Sequence, residues 1–238
     1  MSKIRLIAFD LDGTLTQHKT KLDPINRSVL EKLAENHKLL MVGAGGAQRI
    51  FNQLDGFPID VLGNYGLQEG KYNPETGELD LIRDLTFPCD RESVDQRVTM
   101  LREKFGFTEF AGENVEFHAS GCITFPILGT KAKQEDKLAF DPDRSKRRAI
   151  HQIVIDTFPE YVVFVGGSSS FDMAPQPHDK YHALKDYCER NGYGLDEVAY
   201  VGDDYGPGGN DESVYKSEIK FITIDDYTTL AQRIDHLL

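Results

Sequence analysis

The chain has 238 residues, of which 39% are hydrophobic and 28% are charged, and its formal net charge is −12. This length accommodates one large domain or two small domains with a substantial hydrophobic core. The acidic balance argues against a nucleic-acid-binding protein, which needs a basic surface, although it does not exclude an anionic substrate held in a local cleft.

The cysteines and the apolar segments indicate a cytoplasmic protein. Cys89, Cys122 and Cys188 are widely separated and show no C-x-x-C spacing, so we expect free thiols in a reducing compartment. The N-terminus lacks a sustained apolar segment, and no stretch approaches a membrane-spanning length. We therefore expect neither a membrane nor a nucleic acid among the partners.

The first predicted element is a strand that ends in two carboxylates. Residues 4–9 form a short apolar run, which is typical of a strand buried on both faces of a parallel sheet. Asp10 and Asp12 follow, at the strand end where open α/β sheets bind ligands. Carboxylates this close repel each other unless a cation or a shared proton offsets them. We expect a Mg²⁺ site in which one aspartate can act as a nucleophile, a simple polar turn being the alternative.

The next segments alternate between helix and strand. Asp23 and Pro24 predict a helix start, and apolar residues recur at helical spacing to about residue 36. A strand over 38–42, a helix over about 47–54 and a strand ending near 64 follow, before a β-hairpin around residues 74–77. This order predicts an α/β fold with a Rossmann-like, doubly wound parallel sheet.

A glycine-rich segment, Gly43-Ala44-Gly45-Gly46, lies between the second predicted strand and the second predicted helix. Its backbone N–H groups could face an anion there, with the helix dipole assisting. Gly45 and Gly46 are therefore candidate phosphate ligands. The alternative is a flexible turn into the helix.

A different pattern begins near residue 86. Helices near 94–105 and 143–157 alternate with four short strands, near 115–117, 122–128, 162–165 and 171–173. Helices packed on one face of an antiparallel sheet form an α+β unit. We therefore predict an inserted α+β domain over 86–179, with the core domain formed by 1–85 and 180–238.

A second acidic segment follows the chain's return to the core. A helix from Lys180 and an apolar run over 198–201 lead into Gly202-Asp203-Asp204, and then into Gly208-Gly209-Asn210-Asp211. A parallel sheet would bring Asp203 close to the first pair of aspartates, and hard oxygen ligands around a small site suit Mg²⁺. The alternative is an acidic, glycine-rich loop. A strand over 219–224 and a helix over about 228–237 complete the core.

The string Asp10-Leu11-Asp12-Gly13-Thr14-Leu15-Thr16, placed after a hydrophobic strand, resembles the first motif of the haloacid dehalogenase superfamily of phosphotransferases. In that superfamily the first aspartate is phosphorylated and the second is a general acid/base, which implies these roles for Asp10 and Asp12. The superfamily usually has Ser or Thr where this chain has Gly45, and that hydroxyl binds the phosphate. Only backbone donors would remain at this position here.

The closest similarity is to the eukaryotic-type phosphomannomutases, whose core is interrupted by a type IIB cap. The resemblance implies that the inserted α+β domain predicted over 86–179 is this cap domain. The segment Gly208-Gly209-Asn210-Asp211-Glu212 resembles their G-G-N-D-x-E motif. Residues 166–172 with Asp179-Lys180 resemble their G-G-x-x-S-F-D…D-K motif, and residues 134–137 loosely resemble their Q-E-E-R segment.

The resemblance implies a set of site residues. Mg²⁺ would be held by the Asp10 carboxylate, the backbone carbonyl of Asp12 and Asp203, with Asn210 and Asp211 completing or orienting that shell. Lys180 would contact the phosphate and balance Asp10. In the cap, the candidate substrate contacts are Lys131, Lys133, Lys137, Ser170 and Asp172.

Three cap positions differ from the mutases, which hold a sugar bisphosphate through arginines. This chain has His118, Thr130 and Lys137 at those positions. A planar guanidinium grips phosphate through two hydrogen bonds, whereas a lysine is a point charge. Because a mutase must hold the far phosphate while its intermediate reorients, these differences favour hydrolysis.

We therefore expect a Mg²⁺-dependent phosphatase that hydrolyses a small phosphorylated metabolite, a sugar phosphate, through an aspartyl-phosphate. The alternatives are a hexose phosphomutase of the phosphomannomutase type and a non-catalytic sugar-phosphate binding protein. The related mutases are similar in forming cap-mediated dimers, so the chain could form a homodimer through its cap.

Overall fold

The computed structural model describes residues 3–237, which form two compact units. One unit comprises the residues up to Leu85, His178–Gly206 and the residues from Asp211 onward. The other comprises Thr86–Pro177 and Pro207–Asn210. The short segment before Asp211 thus groups with the second unit, although it lies in a stretch that the sequence assigns to the core. The assignment of 86–179 as an inserted domain stays a prediction.

The strands are β1 (Leu6–Phe9), β2 (Lys38–Val42), β3 (Asp60–Gly63), β4 (Gln68–Asn73), β5 (Glu78–Asp84), β6 (Glu116–Phe117), β7 (Ile123–Pro126), β8 (Tyr161–Phe164), β9 (Ser170–Pro175), β10 (Val198–Gly202) and β11 (Lys220–Thr223). The helices are α1 (Pro24–Ala34), α2 (Ala47–Gln53), α3 (Arg91–Phe105), α4 (Gln134–Phe140), α5 (Ser145–Thr157), α6 (Lys180–Asn191), α7 (Glu212–Tyr215) and α8 (Leu230–Arg233). Single 3₁₀ turns occupy Asn64–Gly66, Leu195–Glu197, Tyr227–Thr229 and Asp235–Leu237.

The first unit is built on a seven-stranded sheet in the order β11-β10-β1-β2-β3-β4-β5. The strands from β11 to β3 are parallel, and the hairpin of β4 and β5 extends the sheet in antiparallel fashion. In β1, Ile7 and Phe9 pack with residues of α1, α2 and α8, whereas Leu6 and Ala8 pack with residues of α6 and α7. Helices therefore cover both faces, which explains why β1 is apolar at every position.

Two helices of this unit, α1 and α6, begin after an aspartate whose side chain accepts hydrogen bonds from free N–H groups. Asp23 accepts hydrogen bonds from the amides of Ile25 and Asn26, with Pro24 in the first turn of α1. Asp179 caps α6 through the amide of His182, at 2.6 Å. This cap places Lys180 at the start of α6.

The second unit contains a four-stranded antiparallel sheet in the order β6-β7-β9-β8. One face of this sheet packs against α3 and α5, with Phe125 and Phe171 at the centre of the shared hydrophobic cluster. Because side chains alternate along a strand, the polar residues Thr124, Ser170 and Asp172 lie on the opposite face.

The α/β fold class is confirmed, and several element bounds are corrected. The predicted helix over about 228–237 contains only the α-helical turn α8, with 3₁₀ turns on either side. The helices α4 and α7 were not predicted; both are short, and α4 has no buried residue to impose a periodic apolar pattern. Across residues 3–237, every helix is too short or too polar to cross a lipid bilayer.

Candidate active site

The carboxyl ends of β1 and β10 bring three carboxylates together in the first unit. Phe9 pairs with Val201 in parallel register, and the amide of Asp10 donates to the carbonyl of Val201 at 2.9 Å. Oxygen atoms of Asp10, Asp203 and Asp211 lie within 4.8 Å of one another. The cluster follows from the topology, because neighbouring parallel strands end at the same edge of the sheet.

The Lys180 ammonium bridges two members of this cluster and is fully buried. It donates to Asp10 Oδ1 at 2.6 Å and to Asp211 Oδ1 at 2.7 Å. Burial alone would lower the pKa of Lys180, but the charges of Asp10 and Asp211 outweigh burial and raise it. Lys180 is therefore a permanent cation between the two carboxylates.

The Asp211 side chain is fully engaged by its neighbours. Besides Lys180, its Oδ1 accepts a hydrogen bond from the Tyr200 hydroxyl at 2.6 Å, and its Oδ2 accepts one from the amide of Asp204 at 3.0 Å. Burial, followed by the charges of Asp211 and Asp10, raises the pKa of Tyr200 well above its usual value, so this hydroxyl remains a donor. This bonding suits Asp211 to orient Lys180.

Asp203 is held by the turn that follows β1. Its Oδ1 accepts a hydrogen bond from the Thr14 hydroxyl at 2.9 Å. Gly13 has a φ of 97°, and a Cβ on this residue would lie 2.4 Å from Asp203 Oδ2. Glycine is thus required at position 13 both for the left-handed backbone and for the close approach of the carboxylate.

The residues present fit a divalent cation. Three carboxylates lie close together and one ammonium pairs with two of them, so two negative charges are in excess when all four groups are ionised. Burial raises the pKa of Asp10, an effect that Lys180 opposes and that Asp211 and Asp203 reinforce; burial and the Asp211 charge likewise raise the pKa of Asp203. A cation bound by carboxylate oxygens would relieve this repulsion, and hard oxygen donors are those that Mg²⁺ prefers.

The Asp12 carboxylate is turned away from the cluster. Its Oδ1 accepts hydrogen bonds from the backbone amide of Lys19 at 2.8 Å and from Gln53 Nε2 at 2.7 Å. Arg49 Nη1 lies 3.8 Å from its Oδ2. The side chain is about a quarter exposed, as a group that exchanges protons with a substrate must be.

The glycine-rich segment after β2 is bonded to its own surroundings. Gly46 caps α2 in an extended conformation, but the amide of Ala47 already donates to Gln68 Oε1 at 3.0 Å. The carbonyl of Gly45 accepts a hydrogen bond from the amide of Asn64 at 2.8 Å. Phosphate binding by Gly45 and Gly46 stays a prediction.

In the second unit, the polar face of the antiparallel sheet carries a chain of hydrogen bonds. Asp172 accepts from the Thr124 hydroxyl at 3.1 Å and from the Ser170 hydroxyl at 3.4 Å, and His118 Nε2 lies 3.2 Å from the Thr124 hydroxyl. Burial raises the pKa of Asp172, although Thr124, His118 and Ser170 act against it. Ser170 and Asp172 are thus brought together as candidate substrate contacts.

The three candidate cap lysines form no single cluster. Lys137 Nζ donates to the carbonyl of Thr130 at 3.1 Å, and Lys133 lies 3.9 Å from Glu135. Lys131 and Lys133 are exposed. Asn210 belongs to the segment that groups with the second unit, and its role as a metal ligand stays a prediction.

Several residues around these sites were not identified from the sequence, among them Thr14, Gln53, Tyr200 and Arg147. Thr14 lies within the first motif, where a hydroxyl beside an aspartate is a usable signal. Gln53 and Tyr200 lie in a helix and a buried strand whose patterns carry no chemical signal. Arg147 is fully buried, pairs with Asp141 at 2.8 Å and donates to the carbonyl of Gly166 at 2.6 Å, so it supports the loop before β9.

Comparisons with known proteins agree with this architecture. The family model for eukaryotic phosphomannomutase matches residues 26–229. Phosphomannomutase 1 of Mus musculus is 26% identical over 229 residues, which cover 88% of this chain and 82% of the relative. The probable phosphomannomutase of Caenorhabditis elegans is 26% identical over 235 residues, covering 90% of this chain and 87% of the relative.

Solved structures share the fold at lower identity. The IMP-bound, N-terminally truncated IMP-nucleotidase of Plasmodium falciparum aligns with a TM-score of 0.69 at 15% identity, over 99% of this chain and 68% of that chain. A phosphatase of the haloalkanoate superfamily from Bacteroides thetaiotaomicron aligns with a TM-score of 0.65 at 18% identity, over 99% of this chain and 95% of that chain. At these identities the two structures show a shared fold, which agrees with the α/β fold class expected from the sequence.

Proposed function

Since the chain belongs to the eukaryotic phosphomannomutase family, we propose that it is a hexose phosphomutase, which transfers a phosphoryl group between two positions of a hexose phosphate. The observation that carries the phosphoryl-transfer chemistry is the buried Lys180 ammonium, which holds Asp10 beside Asp203 at the sheet edge. From the sequence alone we expected hydrolysis, with mutase activity as the alternative. The family match and the phosphomannomutase relatives favour the mutase instead.

The site residues divide the reaction into two displacements at phosphorus. Lys180 engages Asp10 Oδ1, which leaves Oδ2 to attack the phosphorus of the substrate. The bond from phosphorus to the sugar oxygen breaks as the bond to Oδ2 forms, and Asp12 gives its proton to the departing oxygen. In the reverse displacement a hydroxyl at the other end of the sugar attacks phosphorus, Asp12 takes its proton, and Asp10 is released.

The cation site serves the same reaction. Asp10 and Asp203 would hold Mg²⁺, which supplies compensation for the charge on the transferred oxygens when it is bound. Asp211, which is bonded to Lys180, Tyr200 and the amide of Asp204, keeps the ammonium in position. The cytoplasmic location and the cap-mediated homodimer stay predictions.

Hydrolysis is the second candidate, and specific cap residues favour it. His118, Thr130 and Lys137 occupy positions at which the mutases have arginines, and Lys137 is bonded to the carbonyl of Thr130. A weaker grip on the sugar would let it leave while the transferred phosphoryl group is still bound to Asp10. Water would then attack phosphorus on Asp10 in place of the sugar hydroxyl, giving inorganic phosphate.

One assay separates the candidates. Mannose 1-phosphate and glucose 1-phosphate are incubated with the protein, Mg²⁺ and glucose 1,6-bisphosphate, and both hexose 6-phosphate and inorganic phosphate are measured. Formation of the 6-phosphate in excess of inorganic phosphate supports the mutase, and the reverse supports the phosphatase. An Asp10→Asn variant controls for contaminating activity. Binding of a hexose phosphate without either product would indicate a non-catalytic sugar-phosphate binding protein.

A further inference from the structure

The side chain of Arg49 occupies the space above Gly45. A Cβ on Gly45 would lie 2.0 Å from Arg49 Nη2, 2.5 Å from its Nε and 2.6 Å from its Cζ. Any side chain at position 45 would therefore have to displace the guanidinium. The absence of a side chain at this position is what allows Arg49 to lie here.

The guanidinium is close to the catalytic candidates of the first unit. Gly45 follows β2, and β2 pairs in parallel with β1, so both strands end at the same edge of the sheet. Arg49 Nη1 lies 3.8 Å from Asp12 Oδ2. It also donates to Gln53 Oε1 at 2.9 Å, and Gln53 in turn donates to Asp12 Oδ1 at 2.7 Å. Gln53 thus ties the guanidinium to the general acid/base candidate.

Two features leave this guanidinium available to a ligand. Its side chain is half exposed, at 51%. Among residues 3–237, Nη2, which is the atom closest to the space above Gly45, makes no hydrogen bond. By contrast, the Lys180 ammonium is fully buried and already donates to two carboxylates.

A phosphate dianion approaching Asp10 meets an acidic environment. Asp10, Asp12 and Asp203 are all carboxylates at this edge, so an added cation is needed on the approach side. A guanidinium is the side chain that best matches two phosphate oxygens, because its N–H donors form a planar fork. Arg49 presents such a fork in the space that a side chain at position 45 would occupy.

We propose that Arg49 binds the phosphate that is transferred at Asp10, and that it supplies there the contact that a hydroxyl side chain at position 45 would otherwise make. The inference rests on the proposed phosphoryl-transfer function of the same site. Arg49 and Gly45 form one unit in this arrangement: the glycine provides the space, and the arginine fills it with a charged donor.

Binding of inorganic phosphate in the presence of Mg²⁺, measured by isothermal titration calorimetry, tests this proposal without requiring turnover. An Arg49→Ala variant should bind phosphate about ten- to a hundredfold more weakly, the loss typical of a hydrogen bond between charged groups. Arg49→Lys should lie between Arg49→Ala and the unmodified protein. Gln48→Ala is the matched control, because Gln48 precedes Arg49 on α2, is exposed and makes the equivalent bond to Asn52, four residues on.

The double variant Gly45→Ser with Arg49→Ala distinguishes binding from a structural role. It removes the guanidinium and restores a hydroxyl in the vacated space, so it should bind phosphate more tightly than Arg49→Ala alone. A residue that only supports the fold would show no such rescue. Equal phosphate affinities for Arg49→Ala and the unmodified protein would overturn the proposal, as would an unmodified protein that binds no phosphate.

The two proposals fail separately. If phosphate binding depends on Arg49 but no hexose phosphate is converted, the hexose phosphomutase proposal fails and the assignment of Arg49 stands. If hexose phosphate is converted and Arg49→Ala retains full phosphate affinity, the assignment of Arg49 fails instead.

Discussion

Lys180 Nζ lies 2.6 Å from Asp10 Oδ1, and both groups are shielded from solvent at the carboxyl edge of the sheet. The two residues are separated by 170 positions in the chain, and Thr86–Pro177 of the second unit lie between them. The pair orients the candidate nucleophile and keeps its charge compensated.

Substitution of the candidate nucleophile should abolish turnover while the fold is retained. Asp10→Asn keeps the shape and an acceptor for Lys180 but removes the attacking carboxylate, so kcat should fall by about 10⁴-fold or more. Hexose phosphate conversion is the measurement, with circular dichroism as the check on folding. Asp55→Asn, which alters an exposed carboxylate paired with Lys21, should leave kcat unchanged. Substantial activity in Asp10→Asn would exclude an aspartyl-phosphate at this residue.

Removal of the buried ammonium should destabilise the protein strongly. Lys180→Met leaves Asp10 and Asp211 buried without a counter-charge, which should lower the free energy of unfolding by about 3–5 kcal/mol. Urea unfolding at neutral pH measures this loss. The control is Lys38→Met, because Lys38 is 39% exposed in its pair with Asp60 and should contribute about 0–1 kcal/mol. Similar losses for the two variants would contradict the role given to burial.

The Tyr200 hydroxyl, which also bonds to Asp211, should stabilise the folded protein less than the Lys180 ammonium does. Tyr200→Phe removes the donor that lies 2.6 Å from Asp211 Oδ1, while Lys180 and the amide of Asp204 still bind that carboxylate. A hydrogen bond to a charged group contributes about 1.5–3 kcal/mol, so a loss in this range is expected. If Tyr200→Phe unfolded as easily as Lys180→Met, the hydroxyl and not the ammonium would be the principal partner of Asp211.

The cation site should respond to Mg²⁺ through Asp203. Excess Mg²⁺ should raise the Tm of the unmodified protein and EDTA should reverse the rise, since a ligand at about a hundred times its Kd stabilises the folded state by about 2.7 kcal/mol. Asp203→Asn should lose most of this response. Without Mg²⁺, the Tm of Asp203→Asn should be no lower than that of the unmodified protein, because burial penalises the ionised carboxylate of Asp203.

Asp80→Asn provides the comparison for the Mg²⁺ experiment, since Asp80 is an exposed carboxylate on the hairpin of β4 and β5. Its response to Mg²⁺ should equal that of the unmodified protein. An undiminished Tm shift in Asp203→Asn would place the cation elsewhere.

The Arg147–Asp141 pair of the second unit should give a pH-dependent contribution to stability. Burial alone would raise the pKa of Asp141, but hydrogen bonds from the Arg147 side chain and from the amides of Lys146 and Arg147 lower it below its usual value of 3.8. The ion pair therefore stabilises the folded protein fully at pH values above 3.8. This stabilisation is lost as the pH falls through the lowered pKa that Asp141 has in the folded state.

Arg147→Met should accordingly lower the free energy of unfolding by about 3–5 kcal/mol at pH 7. The loss should be smaller at pH 3, where the unpaired carboxyl group of Asp141 takes up a proton. Urea unfolding at the two pH values gives the difference. Arg148→Met, which changes the exposed neighbour, should cost little at either pH. A cost for Arg147→Met that does not change with pH would mean that packing, and not the charge of Asp141, explains the destabilisation.

Much of the architecture could be predicted because its signals are local. The apolar runs of β1 and β10, and the acidic residues directly after them, predicted that Asp10 and Asp203 would lie at one edge of a parallel sheet, and the structure brings them together. The short helices α4 and α7 could not be predicted, because elements of one or two turns carry no full period of apolar residues.

The details of the site depended on contacts between distant segments. Tyr200 and Gln53 gave no chemical signal in the sequence, since their bonds to Asp211 and Asp12 exist only once two strands and a helix have packed. Gly45 was interpreted as the loss of a phosphate-binding hydroxyl, with only backbone donors remaining. The structure shows instead that the guanidinium of Arg49, four residues later, lies in that space.

By itself, the sequence determined the α/β fold, the family and the residue types at the edge of the sheet, because hydrophobic periodicity and short motifs are properties of neighbouring residues. Only the tertiary structure decided which oxygen accepts which hydrogen bond, that Asp12 turns away from the carboxylate cluster, and that Lys180 is buried between Asp10 and Asp211. Those outcomes depend on distances across the sheet and on the removal of water from charged groups, and neither is encoded in any single segment of the chain.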